Sequence, residues 1–380
     1  MLWIHDIRTS LGTPLFPLGV RSTRAARGYC VTVSRRSRPL VIGHRGAPGY
    51  RPEHSRSSYD LALAMGVDAV EPDVVVTRDG VLVVRHENEI SGTTDVADRP
   101  EFADRRTRKR VDGEELEGWF TEDFTAAELQ SLRCRERIPG IRSTSATFDD
   151  TQPVLLLRDV LDLVRRGSLE AGREIGVVLE IKHPTYFAAL GWDVARLVAD
   201  ELHAAGWGAG QLPLTIESFE STVLADLRAR AVSATYIYLL EASGSPFDLV
   251  AAQGKAAPTY AQTAAPSGLD ALVGTVDGIS VDKRMILAPD RLGRATGPSP
   301  IVADAHVRGL RVFTWTARCE NAFLIPQFRT RGGKAAFGDW EGEWALLAAS
   351  GIDGVFVDHA DLGVRFFGAD ADDGEGRRLG

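Results

Sequence analysis

V-E-P-D-V-V-V-T-R-D-G-V-L-V-V-R-H, residues 70–86, decides how the rest of the chain is read. Two apolar runs flank the turn Thr77-Arg78-Asp79-Gly80, which is too short for a parallel crossover, so they should pair as an antiparallel hairpin. Pairing symmetric about that turn sets Glu71 opposite His86, with Asp73 on the same face and diagonal to it. Local geometry thus predicts two carboxylates and an imidazole together. Two further runs, V-I-G-H-R-G (41–46) and V-L-E-I-K-H (178–183), also pass from apolar to polar at their ends. That is the pattern of buried parallel strands delivering reactive groups to one rim of a barrel.

Apolar strand-like runs recur along the chain at Leu40–Gly43, Ala69–Asp73, Ile175–Lys182, Leu214–Glu217, Ala234–Leu240, Gly278–Val281, Arg311–Thr316 and Gly354–Val357. The return run Val81–His86 is an excursion above the rim. Helical patterns fall between them, at Ser57–Met65, Leu155–Arg166, Trp192–Ala205, Ser221–Ala229 and Glu341–Ala349. Eight strand–helix units predict a (β/α)8 TIM barrel spanning 39–368. A doubly wound open sheet is the runner-up, but no G-x-G-x-x-G follows the first strand. Residues 88–150 lack strong periodicity and 98–117 is dense in charge, which reads as an insertion beside the mouth of the barrel or as a solvated excursion.

The chain has 380 residues, 44% hydrophobic and 25% charged, ordinary for a globular protein with a large core. A formal charge of -8 leaves no basic surplus for a nucleic-acid backbone. Three scattered cysteines, Cys30, Cys134 and Cys319, suit neither a disulfide framework nor a zinc cluster. No run approaches the roughly 20 apolar residues of a membrane span. Residues 1–38 carry seven arginines and one acid, Asp6, and their apolar stretch is broken by Pro14 and Pro17. A poorly formed secretory signal, a disordered basic tail and a mis-assigned start are all compatible with this, which leaves the compartment open. The acidic, glycine-rich end 369–380 is expected to be disordered.

At the rim, strand one would present His44 and Arg45, strand two Glu71 and Asp73, and strand three Glu180 and Lys182. Three converging carboxylates repel one another, and a divalent cation would supply the counter-charge; all-oxygen ligation favours Ca²⁺ or Mg²⁺ over zinc. The bland alternative is that the acids form ion pairs with Arg45 and Lys182. Two histidines beside such a site suit phosphodiester cleavage, one taking a proton from the attacking oxygen and the other giving one to the leaving alcohol.

H-R-G-A-P-G-Y-R-P-E-H-S (44–55), E-P-D-V-V-V-T-R-D-G (71–80), V-R-H-E (84–87), E-I-K-H-P (180–184), F-T-W-T (313–316) and D-G-V-F-V-D (353–358) together resemble the glycerophosphodiester phosphodiesterases. The segment D-V-A-D-R-P (95–100) and the long insertion are similar to the larger, often periplasmic bacterial branch. The resemblance implies hydrolysis of glycerophosphodiesters, such as glycerophosphocholine, to sn-glycerol 3-phosphate and an alcohol, the substrate's own hydroxyl attacking first to give a cyclic phosphate. It implies His44 and His86 as the acid–base pair and Glu71, Asp73 and Glu180 as metal ligands. Arg45 would bind phosphate, with Lys182 near the phosphate or glycerol end, and Glu53 would anchor the first loop; Trp315, at the end of strand seven, could pack on the glycerol carbons or simply fill the barrel. Two positions depart from the family pattern, Glu87 where Asp is usual and Glu217 where Gln or Ser is common. The competing functions are cleavage of an intact lipid by a phospholipase D-like barrel, and a barrel kept as a binding module without catalysis. The expected partner is a small-molecule diester, with no nucleic acid and no stable membrane insertion.

Overall fold

Every one of the eight apolar runs forms a strand. The computed structural model describes residues 38–295 and 297–368, so the expectations for the basic stretch before Arg38 and for the acidic tail lie outside the described residues. In chain order the strands are β1 (Leu40–His44), β2 (Ala69–Glu71), β3 (Asp73–Val76), β4 (Leu82–Val84), β5 (Thr107–Val111), β6 (Glu114–Gly118), β7 (Gly176–Ile181), β8 (Leu214–Ser218), β9 (Thr235–Leu240), β10 (Gly278–Asp282), β11 (Arg311–Ala317) and β12 (Gly354–Val357). Parallel pairing runs β1–β2–β7–β8–β9–β10–β11–β12 and returns to β1, which closes the eight-stranded barrel.

Burial explains the composition of these strands. β7 reads G-V-V-L-E-I with all of its residues buried, because one face fills the barrel and the other lies under helices. Ile42, Ala69, Val178, Ile237, Phe313 and Phe356 pack together within the ring. A second, larger core joins the strands to the outer helices. The helix Leu157–Ala171 shows the matching pattern: Leu157, Val160, Leu161 and Val164 line its buried face, and Gly172 ends it with φ 63°. No helix among the described residues is long and apolar enough to cross a membrane.

Two expectations are corrected. The second strand is not continuous: it breaks at Pro72, so β2 pairs with β1 and β7, and β3 pairs with β7 and with β4. The hairpin is antiparallel as expected, but Val74 faces Val84 and Val76 faces Leu82, one residue out of the symmetric register. The cause is a wider turn, in which the Thr77 N–H donates to the Val81 carbonyl at 3.0 Å and Gly80 to Thr77 at 3.0 Å. Glu71 therefore does not face His86 across a ladder; β4 ends at Val84, and His86 reaches the rim from the loop that follows. The charge-dense stretch is also more ordered than its lack of periodicity suggested. It holds the antiparallel hairpin β5–β6, laced by cross-strand pairs such as Arg108 Nε to Glu117 Oε2 at 2.6 Å.

Candidate active site

The H-R-G motif builds the first corner of the site. β1 delivers His44, and Arg45 (φ 54°) and Gly46 (φ 95°) then turn the chain sharply. A Cβ at position 46 would lie 2.5 Å from the Ser58 Oγ and would also carry a left-handed φ, so only glycine fits. The turn aims the Arg45 N–H at Glu71 Oε2, 2.8 Å away. The Arg45 guanidinium reaches both Glu53 oxygens at 3.1 Å and lies 3.4 Å from Asp73 Oδ2.

Glu71, Asp73 and Glu180 are buried and can each offer an oxygen within 4.8 Å of the others. Parallel pairing causes this: Asp73 stands beside Glu180 in the β3–β7 register, and β1–β2 pairing puts His44 beside Glu71. Glu71 Oε1 is buried and accepts no hydrogen bond, while the buried Asp73 Oδ1 and Glu180 Oε1 are turned toward Lys182. Lys182 Nζ stands 2.5 Å from Glu180 Oε1 and 3.3 Å from Asp73 Oδ1, so the ion pairing of the alternative reading is present within the cluster. Glu217 adds a fourth buried acid, paired in register with Glu180 and with Oε2 unbonded. Four clustered carboxylates outnumber the cations that touch them, Arg45 and Lys182, an excess that a divalent cation would offset. Without that cation, burial pushes the Glu71 carboxyl well up, and neighbouring Asp73 pushes it further. Burial raises Glu180 to about 8 against the pull of Lys182, and burial and Glu180 raise Glu217. The donor set, all carboxylate with unfilled oxygens, fits a hard cation.

The two imidazoles are built alike. His44 Nδ1 lies 2.6 Å from Asp358 Oδ1, and His86 Nδ1 lies 2.5 Å from Glu87 Oε1. Asp358 stays ionised well below the usual carboxylate range although burial opposes it, because Arg318 and Arg142 face it. Glu87 is lowered in the same way, against burial, by His86 and Arg137. Such carboxylates can only accept, so each ring carries its proton on Nδ1 and leaves Nε2 free. Burial and the charge of Arg45 lower His44 to about 4; burial, Arg45 and Lys182 lower His86 to about 3.

One cavity of about 380 Å³ at the C-terminal rim is lined by His44, Arg45, Glu71, His86, Glu180, Lys182 and Glu217, with Asp73 and the carboxylates behind the imidazoles outside its lining. Trp315 lines it as well; its ring meets Phe219 edge-on at 5.8 Å, and its buried Nε1 donates to nothing. Phe219 in turn faces the Lys182 ammonium at 5.6 Å. Several contributors escaped the sequence reading. His54 donates from Nε2 to Asp73 Oδ2 at 2.8 Å and so aims that acid. Asp358 closes the quoted D-G-V-F-V-D motif, and an acid at the end of the eighth strand was the signal available. Arg137, Arg142, Arg318 and Glu320 carried none. His183, His203, His306 and His359 do not line the cavity.

The chain matches the Glycerophosphoryl diester phosphodiesterase family over residues 44–362. It is 30% identical over 357 residues to a glycerophosphodiester phosphodiesterase of Arabidopsis thaliana, covering 91% of this chain and 89% of that one. A glycerophosphodiester phosphodiesterase of Haemophilus influenzae is 26% identical over 87% of this chain and 90% of its own length. In fold it resembles a glycerophosphoryl diester phosphodiesterase of Silicibacter pomeroyi (TM-score 0.60, 21% identity, 87% of this chain and 95% of that one). It also resembles an Oleispira antarctica phosphodiesterase in complex with the product sn-glycerol-3-phosphate (TM-score 0.57, 18% identity, 87% and 98%). A family match over most of a barrel whose mouth gathers two imidazoles and a cluster of carboxylates leads to one conclusion: this chain belongs to the glycerophosphoryl diester phosphodiesterase family and is a hydrolase with glycerophosphodiester phosphodiesterase activity.

Proposed function

We propose that the enzyme releases sn-glycerol 3-phosphate from glycerophosphodiesters with His44 and His86 as the acid–base pair and with Glu71, Asp73 and Glu180 holding Ca²⁺ or Mg²⁺. The observation that carries this reading is that both Nδ1-anchored imidazoles line one cavity with Glu71 and Glu180, and that Asp73 offers an oxygen within 4.8 Å of those two acids. Support for the product comes from the Oleispira neighbour, whose complex holds that molecule. When bound, the cation supplies positive charge to the phosphoryl oxygens and to the attacking hydroxyl.

The chain's own groups do the rest. Arg45 and Lys182 attract the anionic diester, and Trp315 offers a flat apolar face and a free N–H to the glycerol. One histidine Nε2 takes the proton of the attacking hydroxyl as its oxygen bonds to phosphorus. The other gives a proton to the departing alkoxide as the second P–O bond breaks. Both imidazoles are neutral in the empty cavity because burial and then cationic neighbours hold them down. A diester between Arg45 and Lys182 offsets those charges and lets one ring hold the proton it must donate. Water then opens the cyclic phosphate with the roles reversed.

The deciding assay treats the protein with chelator, restores Ca²⁺ or Mg²⁺, and measures glycerol 3-phosphate from glycerophosphocholine. Activity should vanish with chelation and in His44→Ala and His86→Ala, with the barrel still folded. Near wild-type turnover in either variant refutes the assignment. Head-group release from liposomes, with none from glycerophosphocholine, would favour a lipid substrate instead.

A further inference from the structure

We infer that the insertion completes the catalytic centre, with Arg137 and Arg142 acting as positioning residues for the two histidines. The inference rests on the assignment of His44 and His86 proposed above. Both arginines lie on one short turn of the insertion. Ile141 and Arg142 donate their N–H groups to the Ile138 carbonyl at 2.8 and 2.9 Å, and Glu136 pins the turn by accepting from the Ile138 N–H at 2.9 Å. Residues five apart on that turn therefore reach two dyads that approach the cavity from opposite ends of the chain.

Arg137 grips the His86 dyad. Its Nη1 and Nη2 lie 2.8 and 2.6 Å from the two Glu87 oxygens, a bidentate fork. Its Nε and Nη2 also reach Glu53 at 2.8 and 2.6 Å, and Glu53 is the carboxylate that holds Arg45. One guanidinium thus fixes both the acid behind His86 and the acid behind the expected phosphate-binding arginine. Arg142 serves His44: its Nη2 lies 2.5 Å from Asp358 Oδ2 and its Nε 2.8 Å from Glu320 Oε1. Arg318 reaches the same Asp358 oxygen at 2.6 Å from β11's end, leaving Oδ1 for His44.

The chemistry explains the choice of arginine. A carboxylate that loses its cation is protonated more readily, the buried Asp358 above all and the part-exposed Glu87 less so, and a protonated one ceases to fix the Nδ1–H tautomer of the imidazole it faces. Arginine stays charged and its planar fork sets direction as well as charge, which lysine's single ammonium cannot. With both clamps in place the two Nε2 atoms face the cavity; with one lost, that ring can rotate or change tautomer.

The test uses the full chain with saturating Ca²⁺ and glycerophosphocholine. Arg142→Gln should lower kcat by about tenfold or more with KM changed less than about threefold, since charged hydrogen bonds are lost behind His44 and not at the substrate. Arg137→Ala should lose activity that guanidinium, below its denaturing range, partly restores, while His86→Ala stays inactive with it. Arg137 keeps about a third of its side chain exposed (32%), so Arg137→Lys should fold and should still fall well below wild type. The downfield Nδ1–H proton resonance of His86 should be lost in Arg137→Ala and kept in wild type. Wild-type kcat in Arg137→Lys and Arg142→Gln, with both histidine variants dead, would overturn the clamp and leave the histidine assignment standing. Activity in the histidine variants would overturn the assignment beneath it.

Discussion

Single side chains in this site hold their function through neighbours in ways that separate substitutions can expose. Gly46 is the sharpest steric case: Gly46→Ala meets Ser58 and takes a disfavoured φ, so thermal or urea melts should show a loss of about 2 kcal/mol or more. Glu217→Gln keeps the shape of the side chain and removes a charge from the buried acid group. Cation affinity, read by calorimetry, should fall about tenfold while the fold is retained. The histidines supply a pH signature. His44 titrates at about 4 instead of 6.5, so the unfolded chain binds a proton that the native chain refuses between those values. Its stabilising contribution is complete above pH 6.5 and is lost as pH falls toward 4. Denaturant midpoints should drop less over that window in His44→Gln than in wild type, and equal slopes would show that the ring is not held neutral.

At the level of elements, the β5–β6 hairpin stands on exposed ion pairs, so Glu117→Ala should leave the melting temperature and turnover essentially unchanged. The same feature shows why some of the structure could not be read beforehand. Apolar runs buried on both faces announced all eight barrel strands to within a few residues, and their polar ends announced His44, Glu71, Asp73 and Glu180. The β5–β6 strands show mostly charged, exposed positions, so no period-2 apolar signal marks them. The hairpin register slipped because turn width depends on the Thr77–Val81 bond, which residue types alone do not reveal. Long-range partners are invisible for another reason: His44 and Asp358 lie 314 residues apart, and Glu53 and Arg137 lie 84 apart. Nothing local in the sequence of Arg137 or Arg142 distinguishes them from surface arginines.

For the whole molecule, the proposed cation site would couple ion binding to folding. An ion bound by the native state alone stabilises by about 2.7 kcal/mol at a hundredfold excess over Kd, so the melting temperature should rise by several degrees with Ca²⁺ or Mg²⁺. The triple variant Glu71→Gln, Asp73→Asn, Glu180→Gln should melt at the same temperature with and without the ion. The ring's closure has a further meaning. His44 ends the first strand and Asp358 directly follows the last, and β1 and β12 are bonded neighbours. The imidazole and the acid that steers it therefore face each other across the seam where the chain meets its own beginning. On the assignment proposed for His44, a partly synthesised barrel that has β1 but not yet β12 would lack the acid that orients the ring, so activity should appear only once that last stave has docked.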